Sequence, residues 1–257
     1  MKSILFSVAG FNIYGYGLMI AIGIVIAVWL FMKRTKDRGY NEDHILNMII
    51  ITIIFGILGG KVFYILTDFK HIASNPSIII EQFGYGFVIY GAIIFGIVSV
   101  FLYSKKKKWS TLEVFDLLVP EVALAQGFGR IGCLLAGCCY GAITNGPLYI
   151  VFPYGGLAPV GEHLYPTQVY SFIFDFLLSV FLFWYSKKKS KKLGDTTSMY
   201  LIIYSIGRFL VEFLRNDPRG EIGILSTSQF ISIFILIAGV LLLNRDKLKG
   251  RKSRSEY

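Results

Sequence analysis

Long apolar runs separated by short polar segments dominate the pattern of this chain. Crossing a bilayer takes about 20 apolar residues, and seven runs qualify: 14–32, 45–66, 86–103, 115–135, 167–185, 199–214 and 225–243. Backbone polar groups in lipid must be satisfied within the protein, so such runs in a chain with several of them are helices. The pattern therefore predicts an all-α integral membrane protein with about seven transmembrane helices.

The composition agrees with this pattern. Of the 257 residues, 54% are hydrophobic and 16% are charged, and the mean hydropathy is +0.61. These values are too apolar for a soluble domain and are typical of a polytopic membrane protein. No Pro- or Ser-rich linker and no internal repeat divides the sequence, so we predict a single polytopic membrane domain over residues 1–257. The lack of a repeat argues against a transporter built from paired halves.

Basic residues lie between the apolar runs, in the clusters 33–36, 105–108, 187–192 and 245–254. The segments that contain these clusters hold 19 of the 26 Lys and Arg residues. An excess of basic residues marks the cytoplasmic side, so the N-terminus is predicted outside and the C-terminus in the cytoplasm. The loop near 136–165, which has no Lys or Arg, is then extracytoplasmic. This arrangement accounts for the net charge of +10 without a nucleic-acid partner, which would need a basic groove with interleaved aromatics.

Arg130 lies in the most informative segment, residues 127–141, which is otherwise apolar or glycine. Taking a guanidinium into hydrocarbon costs several kcal/mol unless an anion or water meets it. Five of these fifteen residues are glycine, which lets other groups approach the backbone closely. We therefore predict that Arg130 binds an anionic headgroup.

Two further cations, Lys61 and Arg208, lie within predicted spans. Each of the three cations has a simpler interpretation, in which it extends to the interface or forms a structural ion pair; this interpretation suits Lys61 best. Glu212 follows Arg208 by four residues, so the two share a helix face and can pair. Since a guanidinium matches phosphate with two parallel hydrogen bonds, we expect Arg130 and Arg208 to bind phosphate, with Glu212 orienting Arg208.

Several tyrosines lie near predicted span ends, where an aromatic belt at the interface is the ordinary explanation. Tyr16 and Tyr90 differ from the rest because each is followed directly by glycine. Tyr204 lies one turn before Arg208 on the same helix face. These three are the tyrosines that we expect at a site.

Cys133, Cys138 and Cys139 lie on or beside the outer face. Structural zinc sites normally have four ligands, and the one histidine in the same loop is His163. A disulfide is an alternative, although adjacent cysteines pair poorly with each other. Small apolar thiols are the preferred interpretation, so neither a metal nor a cofactor is expected.

The chain resembles the prolipoprotein diacylglyceryl transferases, a family of bacterial inner-membrane enzymes with seven spanning helices. The resemblance rests on six pieces that occur in order: Tyr16 to Met19, Gly59 to Lys61, Gly86 to Gly91, Gly129 to Gly141, Pro166 to Tyr170 and Tyr204 to Arg215. It implies transfer of the diacylglyceryl group from phosphatidylglycerol to the lipobox cysteine thiol of a prolipoprotein signal peptide. The product is a thioether, and glycerol phosphate is released.

The resemblance also implies where the chemistry takes place. The active site would face the extracytoplasmic side of the bacterial inner membrane. The catalytic residues would be Arg130, Arg208, Tyr90 and Tyr16. The headgroup of phosphatidylglycerol would be bound by Arg130, Arg208, Tyr204, Glu212, Gly129, Gly132, Gly141 and Gln168.

The sequence departs from the family pattern on the acid–base side. Tyr90 stands where the family usually has a histidine, the proposed proton acceptor, and tyrosine titrates near pH 10, too high for a good base at neutral pH. Cys133 replaces an asparagine, and an acidic residue is replaced in the Cys138–Cys139 pair. Two further departures are Tyr165 for histidine and Ser171 for glutamate.

Two alternatives stay open at this point. One is a phospholipid-using transferase of the same fold that acts on a different acceptor. The other is a non-catalytic phospholipid-binding membrane protein. Hydrolase and ATPase functions have no supporting motif, since the sequence contains no nucleophile elbow, P-loop or H-E-x-x-H.

Overall fold

The computed structural model describes residues 4–8, 11–75, 77, 86–153, 157–188, 192–218 and 220–246. Its helices are α1 (Gly15–Lys36), α2 (Glu42–Thr67), α3 (Phe69–Ser74), α4 (Ile89–Lys106), α5 (Thr111–Ala136), α6 (Thr167–Ser186), α7 (Asp195–Glu212) and α8 (Thr227–Leu243). Two antiparallel hairpins accompany them: β1 (Ile4–Val8) with β2 (Phe11–Tyr14), and β3 (Glu221–Ile222) with β4 (Leu225–Ser226). These short hairpins, which were not predicted, precede the long helices α1 and α8 and leave the helical class unchanged.

The long helices lie at the seven predicted positions, with every boundary within four residues of the prediction. Five of them, α1, α2, α4, α5 and α6, are long and apolar enough to cross a membrane. Helix α8 is apolar but shorter. Helix α7 carries three charged residues among its 18, which lowers its hydropathy. The described part of the chain is therefore a mainly helical membrane protein with five candidate spans.

The chain forms two compact units, and Met32–Val114 is one of them. Within it α2 and α4 cross at two glycines, Gly59 and Gly91. A Cβ atom added to Gly59 would lie 2.5 Å from the Gly91 carbonyl oxygen, and one added to Gly91 would overlap the Gly59 carbonyl oxygen. Only glycine permits the two backbones to approach this closely. Further along the contact between α2 and α4, Ser99 Oγ donates to Thr52 Oγ1 at 2.9 Å.

The other unit comprises Met1–Phe31 and Phe115–Tyr257. Helix α6 packs between α5 and α7 through aromatic rings that lie over glycines. The Phe176 ring is 2.8 Å from the position of a Cβ on Gly127 of α5, and the Phe174 ring covers Gly207 of α7. Because Asp175 lies between these two phenylalanines, its side chain faces the space between α5 and α7.

Asp116 of α5 fixes the start of α7. Its carboxylate accepts hydrogen bonds from the backbone nitrogens of Gly194, at 2.6 Å, and Thr197, at 2.8 Å. The Thr197 hydroxyl donates to the same carboxylate at 2.7 Å. A carboxylate at a helix N-terminus satisfies free N–H groups and complements the helix dipole, and this explains why α7 begins at Asp195, four residues before the predicted start.

A long loop joins α5 to α6, and isolated backbone bridges hold its described residues, 137–153 and 157–166. Ile150 and Leu164 exchange backbone hydrogen bonds at 2.9 and 3.0 Å. Four of the loop's own side chains form a small buried cluster: Tyr140, Phe152, Ala158 and Leu164. The loop therefore has a core of its own, which is typical of a long loop with a function.

Candidate functional site

Helices α5, α6 and α7 enclose a cleft of about 230 Å³, including its open mouth. The cleft contains both arginines singled out in the sequence. Its lining residues are Arg130, Ser171, Phe174, Asp175, Tyr204, Gly207, Arg208 and Val211. The structure thus brings together three predicted site residues from two helices, Arg130, Tyr204 and Arg208.

Arg130 enters the cleft from α5 and faces a buried carboxylate. Its Nε atom lies 3.9 Å from Oδ2 of Asp175, and the two side chains are 21% and 3% exposed. This separation is long for a hydrogen-bonded pair, so Asp175 offsets the charge of Arg130 without occupying its donors. Gly129, one residue earlier, has open space where a Cβ would lie.

Arg208 is oriented by the end of its own helix and by the start of α8. Its Nη1 donates to Glu212 Oε2, and its Nη2 donates to Ser228 Oγ at 2.7 Å. Glu212 is buried, and its other carboxylate oxygen accepts from Ser226 Oγ at 2.6 Å. A guanidinium has five N–H donors, so Arg208 keeps donors for a ligand. The predicted pairing of Glu212 with Arg208 is present and leaves Arg208 on the cleft.

Tyr204 lines the cleft one turn before Arg208 and stacks on Tyr200. The two rings are 5.4 Å apart and nearly parallel, with an interplanar angle of 16°. The Tyr200 hydroxyl donates to Gln126 Oε1 of α5 at 3.0 Å. A chain of contacts from α5 therefore fixes the ring that borders the cleft.

Tyr16 lies at the start of α1 and is 44% exposed. A Cβ on Gly132 would lie 3.1 Å from both the Tyr16 ring and its carbonyl oxygen. The absence of a side chain at Gly132 thus allows α1 to approach α5 two residues after Arg130. Gly132 permits this approach, whereas Gly129 leaves open space; contact of either glycine with a headgroup stays a prediction.

Gln168 and Gly141 hold the loop after α5 in place. Gln168 is buried at the start of α6, and its Nε2 donates to the Cys138 carbonyl oxygen at 2.7 Å. A Cβ on Gly141 would lie 2.5 Å from the Tyr165 carbonyl oxygen and 2.9 Å from that of Leu214. In the structure both residues support the loop, and their direct contact with a headgroup stays a prediction.

The three cysteines are free thiols whose sulfur atoms all lie within 4.8 Å of one another. Cys133 is buried on α5, and Cys138 and Cys139 are partly buried in the loop. Hydrogen bonds from Cys133 and Cys138 hold the pKa of the Cys139 thiol below its ordinary range, and the Arg215 guanidinium acts in the same direction. Hydrogen bonds with Cys133 and Cys139, together with burial, raise the pKa of the Cys138 thiol. The pKa values of the two loop thiols therefore shift in opposite directions.

Arg215 follows α7 and forms a bidentate pair with Asp217. Its Nε and Nη2 donate to the two carboxylate oxygens at 2.9 and 2.7 Å. A single backbone bridge pairs Arg215 with Gly141. Arg215 therefore places a positive charge beside the cysteine loop.

Tyr90 and Lys61 belong to the unit Met32–Val114. Tyr90 is the second residue of α4 and is partly buried; its catalytic role stays a prediction. The Lys61 ammonium lies 5.3 Å from the centre of the Tyr64 ring and 5.2 Å from that of Phe87. These cation–π contacts agree with the simpler, structural interpretation of Lys61.

Asp175 is the site residue that the sequence analysis did not identify. A carboxylate within the apolar run Phe172 to Ser186 was the available signal, since ionisable groups at membrane depth are costly and mark functional positions. With Asp175 included, each guanidinium of the cleft has a buried carboxylate partner, Asp175 for Arg130 and Glu212 for Arg208. The guanidinium donors that these partners leave free suit a phosphate.

Comparison with known families agrees with this geometry. The model of the family described as prolipoprotein diacylglyceryl transferase matches residues 3–245. The chain belongs to this family. The family model includes all of the cleft residues and the cysteine loop.

Curated relatives of the transferase family match over nearly their full length. A protein from Clostridium perfringens (strain 13 / Type A), named phosphatidylglycerol–prolipoprotein diacylglyceryl transferase 2, is 60% identical, with 100% of each chain covered. The phosphatidylglycerol–prolipoprotein diacylglyceryl transferase of Clostridium tetani is 59% identical, covering 97% of this chain and 99% of its own. That of Finegoldia magna is 34% identical over 98% of this chain and 99% of its own.

Proposed function

We propose that this protein is a membrane transferase that moves the diacylglyceryl group of phosphatidylglycerol to a prolipoprotein. The family match and the names of relatives at 60% and 59% identity support this function. The structural observation that carries it is the cleft shared by Arg130 and Arg208. Two arginines on different helices offer a phosphate the planar donors that a headgroup requires.

The cleft suggests how each residue acts in the transfer. Arg130 and Arg208 hold the phosphate and stabilise the charge that develops as glycerol phosphate leaves. Glu212 orients Arg208, and Tyr204 and Tyr16 orient the headgroup. The thiol of the lipobox cysteine attacks the diacylglyceryl carbon, a C–S bond forms, and the C–O bond to the phosphate breaks.

The topology belongs to the same proposal. Seven spans in a single polytopic domain, with the N-terminus outside, place the ends of α5 and α7 and the loop 137–166 on the extracytoplasmic side of a bacterial inner membrane. The distribution of Lys and Arg supports this orientation. Reporter fusions after residues 107 and 149 test it, since the first is expected in the cytoplasm and the second outside.

Complementation tests the function in cells. Expression of this protein in a conditional strain that lacks its own diacylglyceryl transferase is expected to restore lipoprotein lipidation. Arg130→Ala and Arg208→Ala are expected to fail. Arg38→Ala, which alters an arginine whose side chain is 55% exposed, is the matched control and is expected to complement. Failure of the intact, well-expressed protein would contradict the proposal.

An assay with purified protein identifies the acceptor. Glycerol phosphate is expected to be released from phosphatidylglycerol only when a lipobox peptide is present, and the peptide is expected to gain the mass of the diacylglyceryl group. Release that does not depend on the peptide would show that the acceptor is a different molecule.

A further inference from the structure

We propose that Cys133, Cys138 and Cys139 form a three-thiolate site for a thiophilic divalent cation of the zinc class. Their sulfur atoms already lie within 4.8 Å of one another. Tetrahedral zinc with Zn–S bonds of about 2.3 Å places its sulfur ligands about 3.8 Å apart. Small rotations of the side chains would therefore close the site, without any rearrangement of the backbone.

The backbone turns sharply after α5 and brings Cys138 and Cys139 back to Cys133. Gly137 has φ 66° and Cys139 has φ 58°. The left-handed region suits glycine but costs a residue such as cysteine about 1 kcal/mol or more. Cys138 N donates to the Cys133 carbonyl oxygen at 3.1 Å, which completes the turn. The fold thus tolerates a strained conformation that brings the Cys139 sulfur to the other two.

Buried side chains from α6 hold this turn from outside. Thr167 Oγ1 donates to the Cys139 carbonyl oxygen at 2.8 Å, and Gln168 Nε2 donates to that of Cys138 at 2.7 Å. Both side chains are 1% exposed. Rigid support of ligand residues by neighbouring hydrogen bonds is what a metal site needs. Hydrogen bonds therefore fix the backbone of the cysteine loop in one geometry. Thiols that only fill space in the core would not need this support.

The charges around the group favour a bound cation with thiolate ligands. Three thiolates and one divalent cation carry a net charge of −1. Arg130 lies one turn before Cys133 on the same face of α5, and Arg215 lies beside the loop through its bridge to Gly141. These guanidiniums offset that charge.

A zinc ion with three protein ligands keeps a fourth position for a substrate. This part of the inference rests on the proposed function: the fourth ligand is the thiol of the incoming lipobox cysteine. Coordination ionises that thiol, and its proton passes to solvent water. The sulfur then attacks the diacylglyceryl carbon while the C–O electron pair leaves with the phosphate, and the metal does not change oxidation state. The site would supply the thiolate that a base in the position of Tyr90 does not.

Metal binding is measured first, independently of transferase activity. The full chain is purified in detergent under anaerobic reducing conditions with a tag that contains no histidine, and is loaded with Zn²⁺ or Co²⁺. One equivalent is expected to remain after desalting, and the cobalt form is expected to show thiolate-to-cobalt charge transfer. Bound Zn²⁺ is expected to protect all three thiols from maleimide. No retained metal together with unprotected thiols would overturn the proposal.

Three kinds of variant separate ligands from bystanders. Cys133→Ser, Cys138→Ser and Cys139→Ser are each expected to abolish the charge-transfer band. Gln168→Leu is expected to weaken Co²⁺ binding by about 10- to 100-fold, the usual loss when a group that positions a ligand is removed. The control is His163→Ala; His163 stacks on Tyr149 at 3.7 Å, and its removal is expected to leave the band unchanged. A band that survives in any of the cysteine variants would contradict a three-thiolate site.

The role of the fourth position is tested on the cobalt form. A lipobox peptide is expected to shift the charge-transfer band, whereas the same peptide with serine for cysteine is expected not to. A bound metal with no spectral response to the peptide would overturn the acceptor role. A response without any diacylglyceryl transfer would instead count against the proposed function while supporting the metal site.

Discussion

Two cations flanked by glycine, Lys61 on α2 and Arg130 on α5, look alike in the sequence and differ in the structure. Near Lys61, the backbone of α4 occupies the space where a Cβ of Gly59 would lie, and the Lys61 ammonium lies against aromatic rings. Beside Arg130, Gly129 faces open space and the guanidinium lines a cleft. A glycine next to a charge therefore indicates a ligand site only where no other element occupies the space beside that glycine.

The largest effect is expected from Arg130→Lys. Lysine keeps the charge but loses the planar donors that grip a phosphate. We expect kcat/KM for diacylglyceryl transfer to fall by about 100- to 1,000-fold, or about 3 to 4 kcal/mol. The matched change, Lys61→Arg, is expected to alter kcat/KM by less than about threefold, because charged contacts of this kind contribute little free energy. Initial rates of glycerol phosphate release measure both effects, and equal losses in the two variants would contradict a binding role for Arg130 that Lys61 lacks.

The next largest effect is expected on the free energy of unfolding, when Gly91 or Gly129 is replaced by alanine. Gly91→Ala would force a Cβ into the Gly59 carbonyl group and the Phe63 ring. We expect a loss of about 2 kcal/mol, the usual cost of overpacking. Gly129→Ala meets no atom and is expected to gain up to about 1 kcal/mol, since alanine favours helix over glycine. Thermal unfolding in detergent followed by helical circular dichroism tests this; a lower Tm for Gly129→Ala would show that its space is needed for folding.

A smaller effect on kcat/KM is expected from Glu212→Gln, which keeps Arg208 but weakens the hydrogen bond that orients its guanidinium. Loss of a hydrogen bond to a charged group costs about 1.5 kcal/mol, so kcat/KM is expected to fall about tenfold. Because Glu212 acts through Arg208, the change is expected to add little in an Arg208→Ala background. Additive losses in the double variant would show that Glu212 acts independently of Arg208.

The smallest effect is expected from Lys61→Met, which removes the ammonium from the Tyr64 and Phe87 rings. Exposed cation–π contacts are worth about 0.5 to 1 kcal/mol. We expect the Tm to fall slightly and kcat/KM to stay within about twofold. A loss of activity comparable to that of Arg130→Lys, in protein that still unfolds cooperatively, would place Lys61 in the site.

The positions of the helices could be predicted from the sequence because hydrocarbon imposes length and apolarity on any span. The convergence of Arg130 and Arg208 on one cleft could be expected only through their chemistry and the family resemblance. Asp175 was missed because its neighbours are uniformly apolar, and the pattern does not show that Phe174 and Phe176 turn toward different helices. The roles of Gly59 and Gly129 could not be distinguished in the sequence, because the atoms that pack against a glycine come from another part of the chain.

The cysteine loop shows the same limit more clearly. The spacing of Cys133, Cys138 and Cys139 favoured small apolar thiols over a zinc site or a disulfide. Their convergence depends on the left-handed backbone at Gly137 and Cys139 and on hydrogen bonds from α6, which begins 28 residues after Cys139. Local propensity would not place a cysteine in that conformation, so no local signal predicted the turn.

The order in which the chain is synthesised has a consequence for the pairing of Arg130 with Asp175. The two residues are 45 positions apart, and ribosomes add about 5 to 20 residues per second. The nascent chain therefore carries the Arg130 guanidinium for about 2 to 9 seconds before its carboxylate has been made. During that interval the insertion machinery, rather than the finished fold, must shelter the charge. Slowing translation between α5 and α6 should thus reduce the yield of inserted protein more than slowing it after α7.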